Sequence, residues 1–187
     1  MLIKNMIYAF LATGLEEVEA LAPIDVMRRA GLEVKTVSVT GDKLVMGAHG
    51  VGIMADSLFG DDDYSEAELL FLPGGMPGSS NLREHSALCQ LLLSHHAQGK
   101  PLAAICAAPF ILGDLGISEG KKMTCYPGFE SHLKGAEYTA ALTETDGVLF
   151  TGKGPAAALQ LGYNLVEYFC GKDQAEALKQ GMMYNDL

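Results

Sequence analysis

The stretch Lys100-Pro101-Leu102-Ala103-Ala104-Ile105-Cys106-Ala107-Ala108-Pro109-Phe110 places a thiol where an apolar run gives way to helical spacing. Leu102 to Ile105, behind the breakers Gly99 and Pro101, has the pattern of a buried strand. Phe110, Ile111 and Leu115, behind Pro109, have the pattern of a helix. A nucleophile pushed out of a sheet at such a junction needs small neighbours, and Ala104 and Ala108 supply them. Unpaired backbone N–H groups and the helix dipole are expected to favour the thiolate at this point. The alternative is an inert core cysteine. What separates the two is whether other parts of the chain supply partners.

Glu19 is the first such partner. It shares a helix face with Ala22, Pro23 and Val26, so its carboxyl projects from an apolar stripe. A carboxyl held there has a raised pKa, and when protonated it can donate a hydrogen bond to a thiolate and move protons. Glu16 and Glu17 read instead as solvated complements of the helix dipole. Gly74-Gly75 ends a strand and can bring bare backbone N–H groups close to a reacting oxygen. Gly75 and Ala107 N–H then form a candidate oxyanion hole, with Gly74, Tyr126 and Pro155 as candidate walls. The stretch lacks the spacing of a nucleotide-binding loop. His85, His95, His96 and His132 read as surface residues, and His49 falls in a glycine-rich excursion. None has metal-ligand spacing, and neither a metal nor another cofactor is expected. Cys89 and Cys170 read as packing residues inside helices. Cys125 is open between a structural and a second redox thiol.

The elements that must carry these residues alternate strand and helix. Met1 to Ala12 reads as a first strand, most apolar over Met6–Leu11. Leu15 to Gly31 reads as a helix that Pro23 should kink or interrupt. Glu33 to Val39 is a strand, Met46 to Met54 a hairpin or excursion with three glycines, and Leu69 to Leu72 a buried strand. A helix is predicted over 81–96, a short strand over 123–125, and a strand pair at 139–142 and 148–151. Gly154-Pro155 opens a helix to about Phe169, and a last helix covers 174–180. Such alternation predicts an α/β fold: a mostly parallel sheet with helices on both faces. Gly14, Gly75, Cys106 and the loop at Gly154 all follow strand ends, so one rim at the carboxyl ends of the strands holds them.

Composition narrows the classes. The chain has 187 residues, enough for one core and expected to form a single domain over 1–187. Its net charge is −10 and its 13 basic residues form no cluster, so nucleic-acid binding is not expected. Four cysteines without a CxxC pair point to a reduced, cytoplasmic setting. No apolar run reaches the roughly 20 residues of a membrane span, and the amino-terminal run lacks the marks of a secretion signal.

Gly14-Leu15-Glu16-Glu17-Val18-Glu19, Pro23 to Gly31, Leu72-Pro73-Gly74-Gly75, Ala103 to Ala107 and Gly154-Pro155 together resemble the ThiJ/PfpI superfamily, nearest its protein deglycase branch. The motifs occur in order over essentially the whole chain. The resemblance implies a flavodoxin-like three-layer sandwich, usually a homodimer, with Cys106 as nucleophile and Glu19 as its protonated partner. Gly75 and Ala107 correspond to the oxyanion donors. It also implies cofactor-free chemistry on small reactive carbonyls: methylglyoxal to lactate, or removal of early glycation adducts. A redox-responsive stress protein or chaperone built on an oxidisable cysteine is the alternative. Tyr126 stands where several relatives carry histidine, which speaks against a Cys/His pair, and Ala107 stands where the protease-like branch carries histidine, which disfavours peptidase activity.

Overall fold

The computed structural model describes residues 6–184, so the first five residues of the predicted Met1–Ala12 strand lie outside the described residues. The chain runs β1 (Met6–Leu11), α1 (Glu17–Arg29), β2 (Glu33–Ser38), β3 (Leu44–Met46), β4 (Gly52–Met54), β5 (Ser57–Leu58) and β6 (Ala67–Leu72). It continues through α2 (Gly78–Glu84), α3 (Ser86–Ala97), β7 (Leu102–Ile105), α4 (Pro109–Asp114), β8 (Lys122–Met123) and β9 (Glu137–Tyr138). The last elements are β10 (Thr143–Asp146), β11 (Leu149–Gly152), α5 (Ala158–Cys170) and α6 (Lys172–Gly181). Seven strands form the main sheet in the order β10-β11-β7-β6-β1-β2-β5. Every neighbouring pair in it is parallel except β10 with β11.

A parallel sheet covered on both faces requires apolar residues of both parities, which is why its central strands read as unbroken apolar runs. Tyr8, Phe10, Leu70, Leu72, Leu102 and Ala104 pack into one core with Leu82, Leu88, Leu92 and Ile111 from α2, α3 and α4. Their alternates Ile7, Ala9, Leu69, Phe71, Ala103 and Ile105 pack into the other with residues of α1, α5 and α6. The result is the flavodoxin-like three-layer sandwich. Because β1, β6, β7 and β11 run the same way, Gly14, Gly74, Cys106 and Lys153 emerge at one rim.

Several boundaries differ from the expected ones. Helix α1 continues through Pro23. Its packing on α5 is close there: a Cβ on Gly162 would stand 2.9 Å from Val26 Cβ and 3.1 Å from Pro23 Cα. The single helix expected over 81–96 is two, divided at His85, whose extended backbone stops α2 and whose ring Nδ1 accepts from Leu88 N (3.1 Å) to cap α3. The strand expected at 139–142 lies instead at 143–146. Asp146 pairs with Leu149 across a two-residue turn holding Gly147 at φ 61°, and the tight turn fixes the strand beside it. The strand expected at 123–125 is shorter and earlier, because Thr124 N turns to Thr151 Oγ1 (3.0 Å).

Gly162→Leu is expected to lower stability by about 2–3 kcal/mol, as overpacking does at a tight helix contact. Urea unfolding reads it, and an unchanged midpoint would show that α1 and α5 can part without loss.

Candidate active site

Cys106 sits on the turn between β7 and α4 at φ 63°, a left-handed conformation that is strained for a side chain-bearing residue. Two backbone bonds hold it there: Cys106 N donates to Gly152 O (2.8 Å) and Tyr126 N donates to Cys106 O (2.8 Å). The strand-to-helix elbow expected from the small residues is present, with Ala104, Ala107 and Ala108 all buried. Cys106 itself is only 9% exposed.

Glu19 comes to it from the first turn of α1. It is fully buried, and the donors beside its carboxyl oxygens, the Cys106 thiol and the Gly74 backbone, approach it without full hydrogen-bond geometry. Burial pushes the Glu19 carboxyl up to about 7; the nearby charge of Glu16 adds to this, while Cys106 and the Gly74 backbone pull the other way. The expected raised carboxyl is thus present. The expected depressed thiol is not. Burial, then the charge of Glu19 and its hydrogen bond, push Cys106 up to about 12, and the N–H groups of Gly75 and Ala107 offset only part of that. Two groups this close share their protons. The pair releases its first proton near neutrality and keeps the second far above it. Just above neutrality it carries one negative charge, residing chiefly on the desolvated carboxyl beside a sulfur that faces two backbone donors.

Glycine makes this approach possible. A Cβ on Gly74 would overlap Glu19 Oε2 and stand 2.6 Å from Cys106 Cβ and from Ile105 O. Gly75 has φ 90°, and a Cβ on it would run into the backbone of Leu15 and Glu16. The structure therefore brings together Cys106, Glu19, Gly74, Gly75 and Ala107. Tyr126 is tied to Cys106 through its backbone, and its ring lies against Gly154 beside Pro155.

The three acids of α1 have distinct tasks, and the solvated reading of Glu16 and Glu17 does not hold. Glu16 caps the helix, its Oε2 accepting from Glu19 N at 2.7 Å. Glu17 is buried and grips the β3–β4 hairpin: Oε1 accepts from His49 N (2.8 Å) and Val51 N (3.4 Å), and Oε2 lies 2.7 Å from His49 Nδ1. Burial pushes the Glu17 carboxyl up, but these bonds prevail and hold it at about 2. The bond to Glu17 in turn raises the His49 pKa. Glu16, Glu17 and His49 place three metal-ligand-type atoms within 4.8 Å, a proximity that a separation of 32 residues hides in the sequence. Gly47 is the one local sign, since a Cβ there would overlap the Glu17 carboxylate.

Other expectations need correction. His95 is buried, not on the surface: its Nε2 donates to Pro101 O (3.0 Å) and burial pushes its pKa down to about 4. Cys170 is exposed at the end of α5, where no neighbour packs over it, whereas Cys89 is buried as expected. Cys125 is fully buried in the α2–α4 core, with its thiol pushed by burial up to about 12.

The acids move stability in opposite directions with pH. Above its ordinary value of 4.5 the unfolded chain has lost the Glu19 proton that the native state keeps up to about 7, so this group removes stability as pH rises through that window. Glu19→Gln is expected to remove that loss, on the order of 3 kcal/mol, and to abolish the inflection near neutrality in the rate of Cys106 alkylation. An inflection that persists in the variant would show another partner titrating. Glu17 stabilises above 4.5 and loses this contribution as pH falls toward about 2. Glu17→Gln is expected to cost about 2 kcal/mol at neutral pH and to flatten the acid limb, read by denaturant midpoints from pH 2 to 7.

A sequence model of the DJ-1/PfpI family matches residues 5–168. The chain is 38% identical to protein DJ-1 homolog B and 37% to homolog A of Arabidopsis thaliana, over 88% and 89% of its own length. It spans only 38% and 43% of those two proteins. It is 33% identical to protein dj-1beta of Drosophila melanogaster, covering 92% of this chain and 94% of that one. A deglycase of Pyrococcus horikoshii is 30% identical over 78% of this chain and 87% of its own. The structure of oxidized DJ-1 from Toxoplasma gondii superposes with a TM-score of 0.90 at 32% identity, covering 96% of this chain and 98% of that one. Among the described residues, no helix is long and apolar enough to cross a membrane.

Proposed function

Because the chain belongs to the DJ-1/PfpI family, we propose that it is a cofactor-free, cysteine-dependent enzyme acting on small reactive carbonyls, converting methylglyoxal to lactate or removing early glycation adducts. The observation that carries this reading is the buried Glu19, whose proton leaves near pH 7, held against Cys106 under two backbone N–H groups. A relative named a deglycase supports the substrate class.

The singly charged pair is the working form. The Cys106 sulfur attacks the aldehyde carbon, and the new C–S bond leaves an oxyanion facing the Gly75 and Ala107 N–H groups. That oxygen takes the pair's proton and becomes the hydroxyl of a hemithioacetal, leaving Glu19 ionised. Glu19 removes the hydrogen from the former aldehyde carbon as a proton, giving an enediolate, and returns it to the neighbouring carbon while the hydroxyl proton passes from the first oxygen to the second. The first carbon is oxidised and the second reduced by the same two electrons, so no external oxidant enters. The product is a lactoyl thioester. Water cleaves its C–S bond, releasing lactate and restoring the thiol.

Burial explains why a carboxylate is strong enough for this step: with little solvent, the Cys106 thiol and the Gly74 backbone offset only part of the desolvation that raises it. The reading includes a homodimer, supported by the exposed apolar residues Val18 and Leu21 on α1 and Leu44, Met46, Val51 and Met54 on the hairpin. It includes a cytoplasmic setting, supported by four free cysteines.

Lactate formation from methylglyoxal in metal-free buffer tests the proposal. Many turnovers are expected from the native chain and none from Cys106→Ser, with Glu19→Gln slower by roughly 100- to 10,000-fold. A native protein that forms one covalent adduct and no lactate would overturn the enzyme reading in favour of a redox-responsive protein.

A further inference from the structure

Beside the elbow, Tyr126, Pro127, Leu142, Pro155 and Ala156 line an open depression of about 230 Å³. It borders both backbone anchors of Cys106: Tyr126 is one of them, and Lys153 on its lining follows the other, Gly152. The lining is almost wholly carbon. Its one cation, Lys153, commits one ammonium donor to Ala140 O (3.1 Å). Roughly 150 Å³ of apolar cavity accommodates a benzene ring, so this depression has room for a phenyl or branched-alkyl group.

We propose that the depression is a specificity subsite, walled by Tyr126, Leu142 and Pro155, which takes the apolar substituent of an α-oxoaldehyde whose aldehyde carbon reacts at Cys106. The inference rests on the carbonyl reading above and names the substrate class within it. Glyoxal has no substituent to fill the subsite and methylglyoxal only a methyl; aryl and branched-alkyl oxoaldehydes fill it and are held with the carbonyl at the sulfur. Tyr126 determines this selectivity. A phenol ring presents a broad apolar face where an imidazole would present two polar nitrogens.

Two readouts separate the subsite from the enzyme reading. The first is kcat/KM for phenylglyoxal relative to methylglyoxal. The second needs no turnover: the rates at which iodoacetamide and N-benzyl-iodoacetamide alkylate Cys106, located by peptide mass and divided by their rates with glutathione. The native chain is expected to favour the aryl member roughly 10-fold in each. Tyr126→Ala, at a half-exposed position where a loss of fold is not expected, should remove most of that preference, and Tyr126→Phe should keep it. A benzyl preference in alkylation without any turnover would sink the enzyme reading and leave the subsite standing. Turnover with no aryl preference, or an alkylation preference untouched by Tyr126→Ala, would overturn the subsite.

Discussion

A carboxyl group buried beside a thiol, with few donors to stabilise its charge, is the constraint around which this molecule is arranged. Glu19 keeps its raised pKa only while solvent is withheld from it, and the neighbouring segments serve that end. Gly74 lets the β6 end approach without a side chain. The cap from Glu16 sets the first turn of α1, and the close packing at Pro23 and Gly162 fixes the depth at which that helix lies.

Glu17 and Glu19 stand two residues apart on one helix and show how far environment alone can separate identical groups. Both are buried. Three donors converge on Glu17 and hold it at about 2, while Glu19 has only the Cys106 thiol and the Gly74 backbone beside it, and burial carries it up to about 7. The first is a permanently charged anchor for the hairpin, the second a group able to exchange its proton at neutral pH. This division also accounts for the sulfur. A carboxylate at its side disfavours a second negative charge, which adds to burial in holding the Cys106 thiol at about 12.

Much of this was legible in the sequence because it depends on local pattern. The buried strands announce themselves as short apolar runs. Small residues on both sides of Cys106 mark the elbow, and the apolar stripe around Glu19 marks the raised carboxyl. What was not legible depends on long-range contact. The Glu17–His49 pair joins residues 32 apart, and no spacing rule connects them. The break at His85 arises from a side-chain cap that competes with helix continuation. The position of β10 follows from a tight turn, and propensity read over 139–142 points to the wrong residues. The depth of Cys106, and hence the direction of its titration, is a property of the packed layers.

The site draws on five stretches of chain, around residues 14–19, 74–75, 105–107, 126 and 152–155, held together by bonds between strands far apart in sequence. Contacts of such long range carry a loop-closure cost that must be met before they form. No fragment of the polypeptide therefore contains the paired thiol. Until β11 docks beside β7 and Gly152 accepts the Cys106 N–H, the residue is a common cysteine with a common thiol pKa. During synthesis and after any local opening, the same sulfur is open to whatever electrophile or oxidant it meets, without the partner that directs its chemistry. Only the finished fold gives the Cys106 sulfur its carboxyl partner.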